Sequence, residues 1–320
     1  MTHAYDPELA PMLAFLPTTS IGDLAAARAG FDSMIAQLNT DLDYTGIDIE
    51  NRCIPGPDGA PEVPVRIYKP SGLASAGPGL LHLHGGGFVI GSLDSELGLC
   101  LNLCRALGIV VVSVDYRLAP ETPYPGPVED CYAALQWTST NAAALMIDPQ
   151  RLGILGLSAG GGLAAATTLL TRDRGGPPLC FQYLGIPEVD DRLDTHSMQQ
   201  FVDTPLWDRS KAIMSWDYYL GSAYQRGGDD VPCYAAPARA QDLAGLPPAH
   251  VTTMEFDPLR DEGILYAMRL LQAGVSTELH SFAGTFHGSS AIVTAAVSQR
   301  EAQEMLVALR RGLQIQSNDQ

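Results

Sequence analysis

The run Gly156-Leu157-Ser158-Ala159-Gly160 has the pattern Gly-x-Ser-x-Gly. An apolar, β-rich stretch from Leu152 to Leu157 leads into it, and a helical pattern of Leu163, Ala166, Thr167 and Leu170 follows. A serine raised on a sharp strand-to-helix turn needs this setting, because side chains two residues to either side would collide with the turn. Ser158 is therefore the candidate nucleophile. A serine hydroxyl is weakly nucleophilic near neutral pH and requires a base, which in turn requires an acid to orient it. Asp257, in Asp-Pro-Leu-Arg-Asp-Glu-Gly after the stretch His250 to Phe256, and His287, in Gly-Thr-Phe-His-Gly after Thr277 to Phe282, stand in the right chain order. Asp190, Asp261 and Glu262 compete with Asp257. The last two fall where a helix begins, and capping and dipole interactions account for them there.

His84-Gly85-Gly86-Gly87 closes the stretch Leu80 to His84. Consecutive glycines let backbone N–H groups face a cavity, as a developing oxyanion requires. A glycine loop can also cradle phosphate, but neither Gly-Lys-Ser/Thr nor Gly-x-Gly-x-x-Gly is formed. His82 and His84 alternate on one strand face without a third metal ligand in view, and holding the loop by hydrogen bonds suits His84 better. No metal and no cofactor is expected.

The 320 residues are 46% apolar and 17% charged, enough to bury a large core and too apolar for global disorder. Nineteen basic against 36 acidic side chains give a net charge of −17, a field that repels phosphate backbones, so nucleic acid is an improbable partner. No apolar stretch approaches the roughly 20 residues that span a bilayer, and the first ten residues lack a basic segment leading into an apolar run. A cytoplasmic protein without membrane contact is expected. The six cysteines form no CxxC pair, and reduced, mostly buried thiols are the expectation.

The elements that must position these residues alternate. Ile47 to Cys53, Val63 to Tyr68, Leu80 to His84, Ile109 to Val114, Leu152 to Leu157, Leu179 to Gly185, His250 to Phe256 and Thr277 to Phe282 read as strands. Helical spacing recurs between most of them, as in Leu97, Cys100, Leu101 and Cys104, in Val128, Cys131, Tyr132 and Leu135, and in Ile264, Ala267, Met268 and Leu271. Such alternation predicts an α/β class fold, an eight-stranded mostly parallel sheet flanked by helices and opened by an antiparallel pair. Two regions fall outside it. Residues 1–45 carry amphipathic helical patterns (Leu9, Met12, Leu13, Leu16; Phe31, Met34, Ile35, Leu38), and residues 188–226 insert an aromatic-rich helical stretch. We assign 46–187 and 227–320 to the core and 1–45 with 188–226 to a helical cap. Phe201, Trp207 and Met214 of the cap are candidate substrate-pocket residues.

With HGGGF at 84–88, YRLAPE at 116–121, GLSAGG at 156–161, DPLRDEG at 257–263 and FHG at 286–288, the chain from about residue 45 to 312 resembles the hormone-sensitive-lipase-like esterases, bacterial family IV of the α/β-hydrolase superfamily. The resemblance implies Ser158 as nucleophile, His287 as general base and acid, Asp257 as its orienting partner, and an oxyanion hole of the backbone N–H groups of Gly86, Gly87 and Ala159. It implies a cofactor-independent carboxylesterase for small esters of short to medium acyl chain, with a lid built from the two irregular regions and a homodimer paired along the last strand's edge. Leu157 stands where the family usually has Asp or Thr, which bears on subgroup and substrate preference, not on the triad. The same triad also serves lactones, amides or acyl transfer. Relatives that became ligand receptors lost the catalytic histidine, which this chain keeps as His287.

Overall fold

A computed structural model describes residues 3–16 and 20–316. The expected domain segments thus include residues 1, 2, 17–19 and 317–320, which lie outside the described ones. Among these, eight strands form one sheet: β1 Ile47–Ile54, β2 Val63–Pro70, β3 Gly77–Leu83, β4 Val110–Val114, β5 Ile147–Leu157, β6 Phe181–Gly185, β7 Ala249–Phe256 and β8 Thr277–Phe286. Their order is β1-β2-β4-β3-β5-β6-β7-β8. β2 runs antiparallel to β1 and to β4, and every other pairing is parallel.

Period-two alternation decides which layer each strand residue meets. Leu81, Val112, Ile154, Leu184 and Val251 face helices α3 (Gly126–Thr140), α5 (Ala159–Asp173) and α8 (Arg260–Gln272). Their neighbours Leu80, Val111, Leu155 and Tyr183 face α2 (Leu97–Leu107) and α9 (Ala296–Gly312). Because both faces are covered, the central strands are apolar on both sides, as parallel strands between helical layers must be.

Register then places the chemistry. Leu83 of β3 pairs with Gly156 of β5, so the glycine loop and the serine turn leave the sheet side by side. Gly185 of β6 pairs with Leu157, which brings Ile186 to Glu188 alongside the same turn. Phe256 of β7 pairs with Phe286 of β8, so Asp257 and His287 emerge as neighbours.

The segments outside the alternation pack over this edge. Helix α1 (Leu24–Leu38) is tied down by Arg28, whose guanidinium donates to Val89 O (2.8 Å), Ala119 O (3.0 Å) and the Glu121 carboxylate (2.7 and 2.8 Å). Helix α7 (Arg209–Leu220) buries Trp216 and Tyr219, and the Tyr219 ring stacks on Phe88 with centroids 4.1 Å apart. Burying an aromatic side chain of this kind contributes about 1.5–3 kcal/mol.

Several expectations change, among them the start of the fifth strand, which lies at Ile147 rather than Leu152. The pattern Leu9, Met12, Leu13, Leu16 forms a short 3-10 helix, Ala10–Phe15, with only Leu9 fully buried. Pro11 in its first turn has no N–H to continue a longer ladder. The third expected strand begins three residues earlier, at Gly77, and the last runs on to Phe286, because pairing with β7 resumes after an irregularity at Met254 to Phe256.

Helix α9 carries a buried acid. Burial raises the Glu301 carboxyl to about 8, and Glu304 adds to the rise. The folded chain therefore holds a proton that the unfolded chain releases, a contribution to stability present below the ordinary carboxyl pKa and lost as pH rises through about 8. Glu301→Gln should leave Tm nearly unchanged at about pH 4.5 and raise it by roughly 4–6 °C at about pH 9. Thermal melts at the two pH values check this, and equal shifts at both would contradict it.

Candidate active site

Ser158 joins β5 to α5 with φ 56° and ψ −123°, a region that non-glycine residues enter only when their surroundings force it. Its N–H donates to Gly185 O (2.8 Å), and its carbonyl accepts from Gly162 N (3.0 Å) and Glu188 N (3.1 Å). A Cβ on Gly160 would lie 2.1 Å from Leu83 O, so only glycine lets the helix start this close to β3.

The strained turn aims the hydroxyl along the strand ends. Ser158 Oγ is 2.9 Å from His287 Nε2, and His287 Nδ1 is 2.7 Å from Asp257 Oδ2. The other Asp257 oxygen accepts the Leu259 N–H at 2.8 Å. Asp257 is fully buried, and Ser158 and His287 are 7% exposed. The rival acids are engaged elsewhere. Asp190 accepts from Arg192 at 2.7 and 2.6 Å, while Asp261 accepts the Ser197 N–H at 2.7 Å. Glu262 Oε1 accepts the N–H groups of Val189 (2.7 Å) and Asp190 (3.2 Å). Neither Asp261 nor Glu262 caps α8 with its side chain, as their place in the sequence suggested; both reach across to hold the segment after β6. Burial, with Asp190 nearby, pushes the Glu262 carboxyl well above its usual range.

The glycine loop lies against the nucleophile: a Cβ on Gly85 would be 3.5 Å from Ser158 Cβ. Gly86 has φ +123° and would drive a Cβ to 1.9 Å from Ile90 O. Gly87, at φ +57°, would meet the Trp207 ring at 2.5 Å. Of the loop amides, Gly85 N–H is taken by Glu96 Oε1 (2.8 Å). Among the described residues no acceptor engages the N–H groups of Gly86, Gly87 or Ala159. Three N–H donors of the two segments that flank Ser158 are thus left without a protein acceptor among the described residues.

Glu96 is a part of this arrangement that the sequence did not disclose. Its other oxygen meets His82 Nε2 at 2.7 Å, and His82 Nδ1 lies 3.0 Å from Ser113 Oγ. Burial disfavours a charged ring, but the Cys100 sulfur and the Glu96 carboxylate outweigh it and push the His82 pKa up. An imidazolium–carboxylate pair therefore ties β3 to the glycine loop. His84, expected to hold the loop, stacks on Tyr116 with centroids 4.2 Å apart and points Nδ1 at Gly85 O (2.7 Å). No group of three or more His, Cys, Asp or Glu able to hold a metal ion occurs among the described residues.

The three pocket candidates part company. The Trp207 ring lies 5.7 Å from the His287 ring and against Gly87. Phe201 packs instead with His3 and Phe256 and under the Arg260 guanidinium, and Met214 sits against Gly22.

A family model described as the alpha/beta hydrolase fold matches residues 80–290. The carboxylesterase NlhH of Mycobacterium tuberculosis is 39% identical over 315 residues, covering 96% of each chain. An arylesterase of Saccharolobus solfataricus is 38% identical over 233 residues, 70% of this chain and 74% of its own. Among solved structures, a bacterial heroin esterase superimposes with a TM-score of 0.96 at 56% identity, covering 97% of this chain and 98% of that one. The chain belongs to the hormone-sensitive-lipase-like esterases of the α/β-hydrolase superfamily. As a member of that family it is a carboxylic ester hydrolase. No helix among its described residues is long and apolar enough to cross a membrane.

In this esterase Glu96 joins the glycine loop to the sheet, so its removal should cost both stability and turnover. Glu96→Leu leaves a buried imidazolium and a loop amide unpaired. It should lose about 3 kcal/mol of unfolding free energy and about tenfold or more in kcat with a smaller change in KM. Glu96→Gln, which keeps an acceptor for Gly85, should lose less of each. Urea denaturation and steady-state kinetics check this; a Glu96→Leu enzyme with wild-type kcat would show that the clamp does not position the loop.

Proposed function

We propose that the chain is a serine carboxylesterase acting on short- to medium-chain esters through an acyl-enzyme. The observation that carries this reading is the unbroken hydrogen-bonded chain from Ser158 Oγ through His287 to Asp257, beside three unengaged N–H donors. His287 Nε2 takes the hydroxyl proton as Oγ bonds to the ester carbonyl carbon. The carbonyl oxygen becomes an oxyanion received by the N–H groups of Gly86, Gly87 and Ala159, each worth about 2.7–4 kcal/mol in a transition state. Collapse breaks the bond to the alkoxy oxygen, which leaves as alcohol with the proton from Nε2. Water then loses a proton to the same nitrogen, attacks the acyl carbon and releases the acid, and Ser158 regains its hydrogen. Asp257 stays ionised and holds the ring in the tautomer with hydrogen on Nδ1.

We assign the lid to residues 1–45 and 188–226. Supporting this, α1 is held to the glycine-loop segment through Arg28, and Ser215 of α7 donates to Gly87 O at 3.0 Å. Trp207, lying against both Gly87 and His287, limits acyl length from the lid side.

Hydrolysis of p-nitrophenyl esters of increasing acyl length by wild type and Ser158→Ala tests the reading. Turnover should peak between about two and eight acyl carbons, and the variant should lose about 10⁴-fold or more in kcat. Residual hydrolysis near wild-type level, or a preference for the longest chains, would overturn it.

A further inference from the structure

Helix α8 begins at the turn that carries Asp257, and its own N-cap residue does not serve it: Leu259 holds that position and makes no side-chain cap hydrogen bond. The N–H groups of a first helical turn have no partner within the helix, and Ser, Thr, Asp or Asn ordinarily accepts from them at the N-cap. Here the acceptor is Ser197, 64 residues earlier in the chain. Its Oγ accepts the Asp261 N–H at 3.0 Å and donates to Pro258 O at 2.8 Å. One hydroxyl therefore bridges both ends of Pro258-Leu259-Arg260-Asp261, the four residues directly beyond the acid.

The contact is reciprocal. Asp261 Oδ2 accepts the Ser197 N–H at 2.7 Å, an N–H in the first turn of α6 (His196–Gln200). Arg260 donates from Nε to Asp261 Oδ1 and from Nη1 to Glu255 O, each at 2.8 Å, which braces the turn from the β7 side. Burial would raise the Asp261 carboxyl, but the bonds from Arg260 and Ser197 outweigh it and hold its pKa below the usual range, so the bond to the Ser197 N–H is charge-assisted. Ser197 is fully buried, and removing its hydroxyl leaves the Asp261 N–H without its acceptor.

Among the described residues the Asp257 carboxylate has two partners, His287 Nδ1 and the Leu259 N–H of its own turn. Its aim at the imidazole therefore depends on the shape of that turn. Ser197 lies within 188–226, the segment assigned above to the lid, so the hydroxyl that staples the turn also ties it to the lid. Resting on the triad reading above, we propose that Ser197 is a positioning residue for Asp257: its hydroxyl fixes the turn that aims the carboxylate at His287, and the lid segment reaches the triad through it. Ser197 makes and breaks no bond in the reaction. Its effect is confined to the steps in which the imidazole takes a proton and the carboxylate steadies the charge that results.

In steady-state hydrolysis of p-nitrophenyl butyrate, Ser197→Ala should lower kcat about tenfold and leave KM within about twofold, short of the roughly 100-fold that a misplacement of about 1 Å can cost. A double-mutant cycle then separates positioning from general damage. The rate at which a fluorophosphonate labels Ser158 is measured in wild type, Ser197→Ala, His287→Ala and the double variant. Ser197→Ala should slow labelling about tenfold when His287 is present and by less than about twofold when it is absent, because a carboxylate has nothing to orient once the imidazole is gone. Equal slowing in both backgrounds would overturn the role of Ser197 and leave the triad standing. Labelling that His287→Ala does not slow would instead defeat the triad reading itself.

Two further variants guard against a Ser197→Ala chain that does not fold. Asp261→Ala, at a partly exposed side chain, leaves the Ser197 N–H without its acceptor and should lose about fivefold or more in kcat; Asp261→Asn, which keeps an acceptor, should stay within about twofold of wild type. Wild-type kcat in Asp261→Ala would count against the staple. The proton between His287 Nδ1 and Asp257 is followed by NMR in protein labelled with 15N-histidine, and in Ser197→Ala its resonance should move upfield and exchange faster with solvent. Thr171→Ala removes a similar bond, from a hydroxyl to Pro177 O at 2.9 Å, near the other end of α5. It should leave the labelling rate and the resonance unchanged, and an unmoved resonance in Ser197→Ala would overturn the proposal.

Discussion

The backbone of Ser158 is held at φ 56° by one bond to the neighbouring strand and two bonds accepted by its own carbonyl, and the rest of the site depends on that constraint. A relaxed serine would lie along the strand or the helix and bury its hydroxyl. Only the strained turn lifts it toward the ends of β7 and β8, where the register of Phe256 with Phe286 has already set the acid beside the imidazole. The same turn leaves the first N–H of α5 without an intrahelical partner, so one distortion exposes both the nucleophile and part of the oxyanion cradle. The parallel core, close-packed on both faces, is what makes such strain sustainable.

Three buried carboxyls within one neighbourhood show how environment divides the work of a single functional group. Asp257 has a ring nitrogen and a backbone N–H as partners. Glu262 has two backbone N–H groups on one oxygen and none on the other, and serves to hold the segment after β6. Among the described residues Glu188 has none on either oxygen. The first orients the imidazole, the second holds a segment in place, and the third is packed away in the interior.

Much of this was legible in the sequence, because the signals were local. Alternating apolar runs located all eight strands, and the glycines around Ser158 and after His84 marked the turn and the loop through steric demand alone. Asp257 and His287 could be chosen because each follows a strand end. Where the reading failed, the deciding partner was distant along the chain. Glu96 looks like any acid before a helix until β3 brings His82 and Gly85 to it. Asp261 and Glu262 do stand in the first turn of α8, but their hydrogen bonds go to the segment after β6 rather than to a cap. Glu188 carries no sequence signal at all, since burial without a partner is a property of the packed state. Of the three pocket residues taken from the covering segments, Trp207 lies against the triad histidine, while Phe201 packs with His3 and Phe256 and Met214 against Gly22.

The central claim is that the Ser158 hydroxyl is uniquely activated by its histidine and its cradle. Labelling the intact protein with a fluorophosphonate and locating the adduct by peptide mass spectrometry tests this most directly. We expect one phosphonyl group per chain, on Ser158, with labelling slowed about 10³-fold or more in His287→Ala. An adduct on another residue, or labelling of Ser158 that is indifferent to the loss of His287, would contradict the claim.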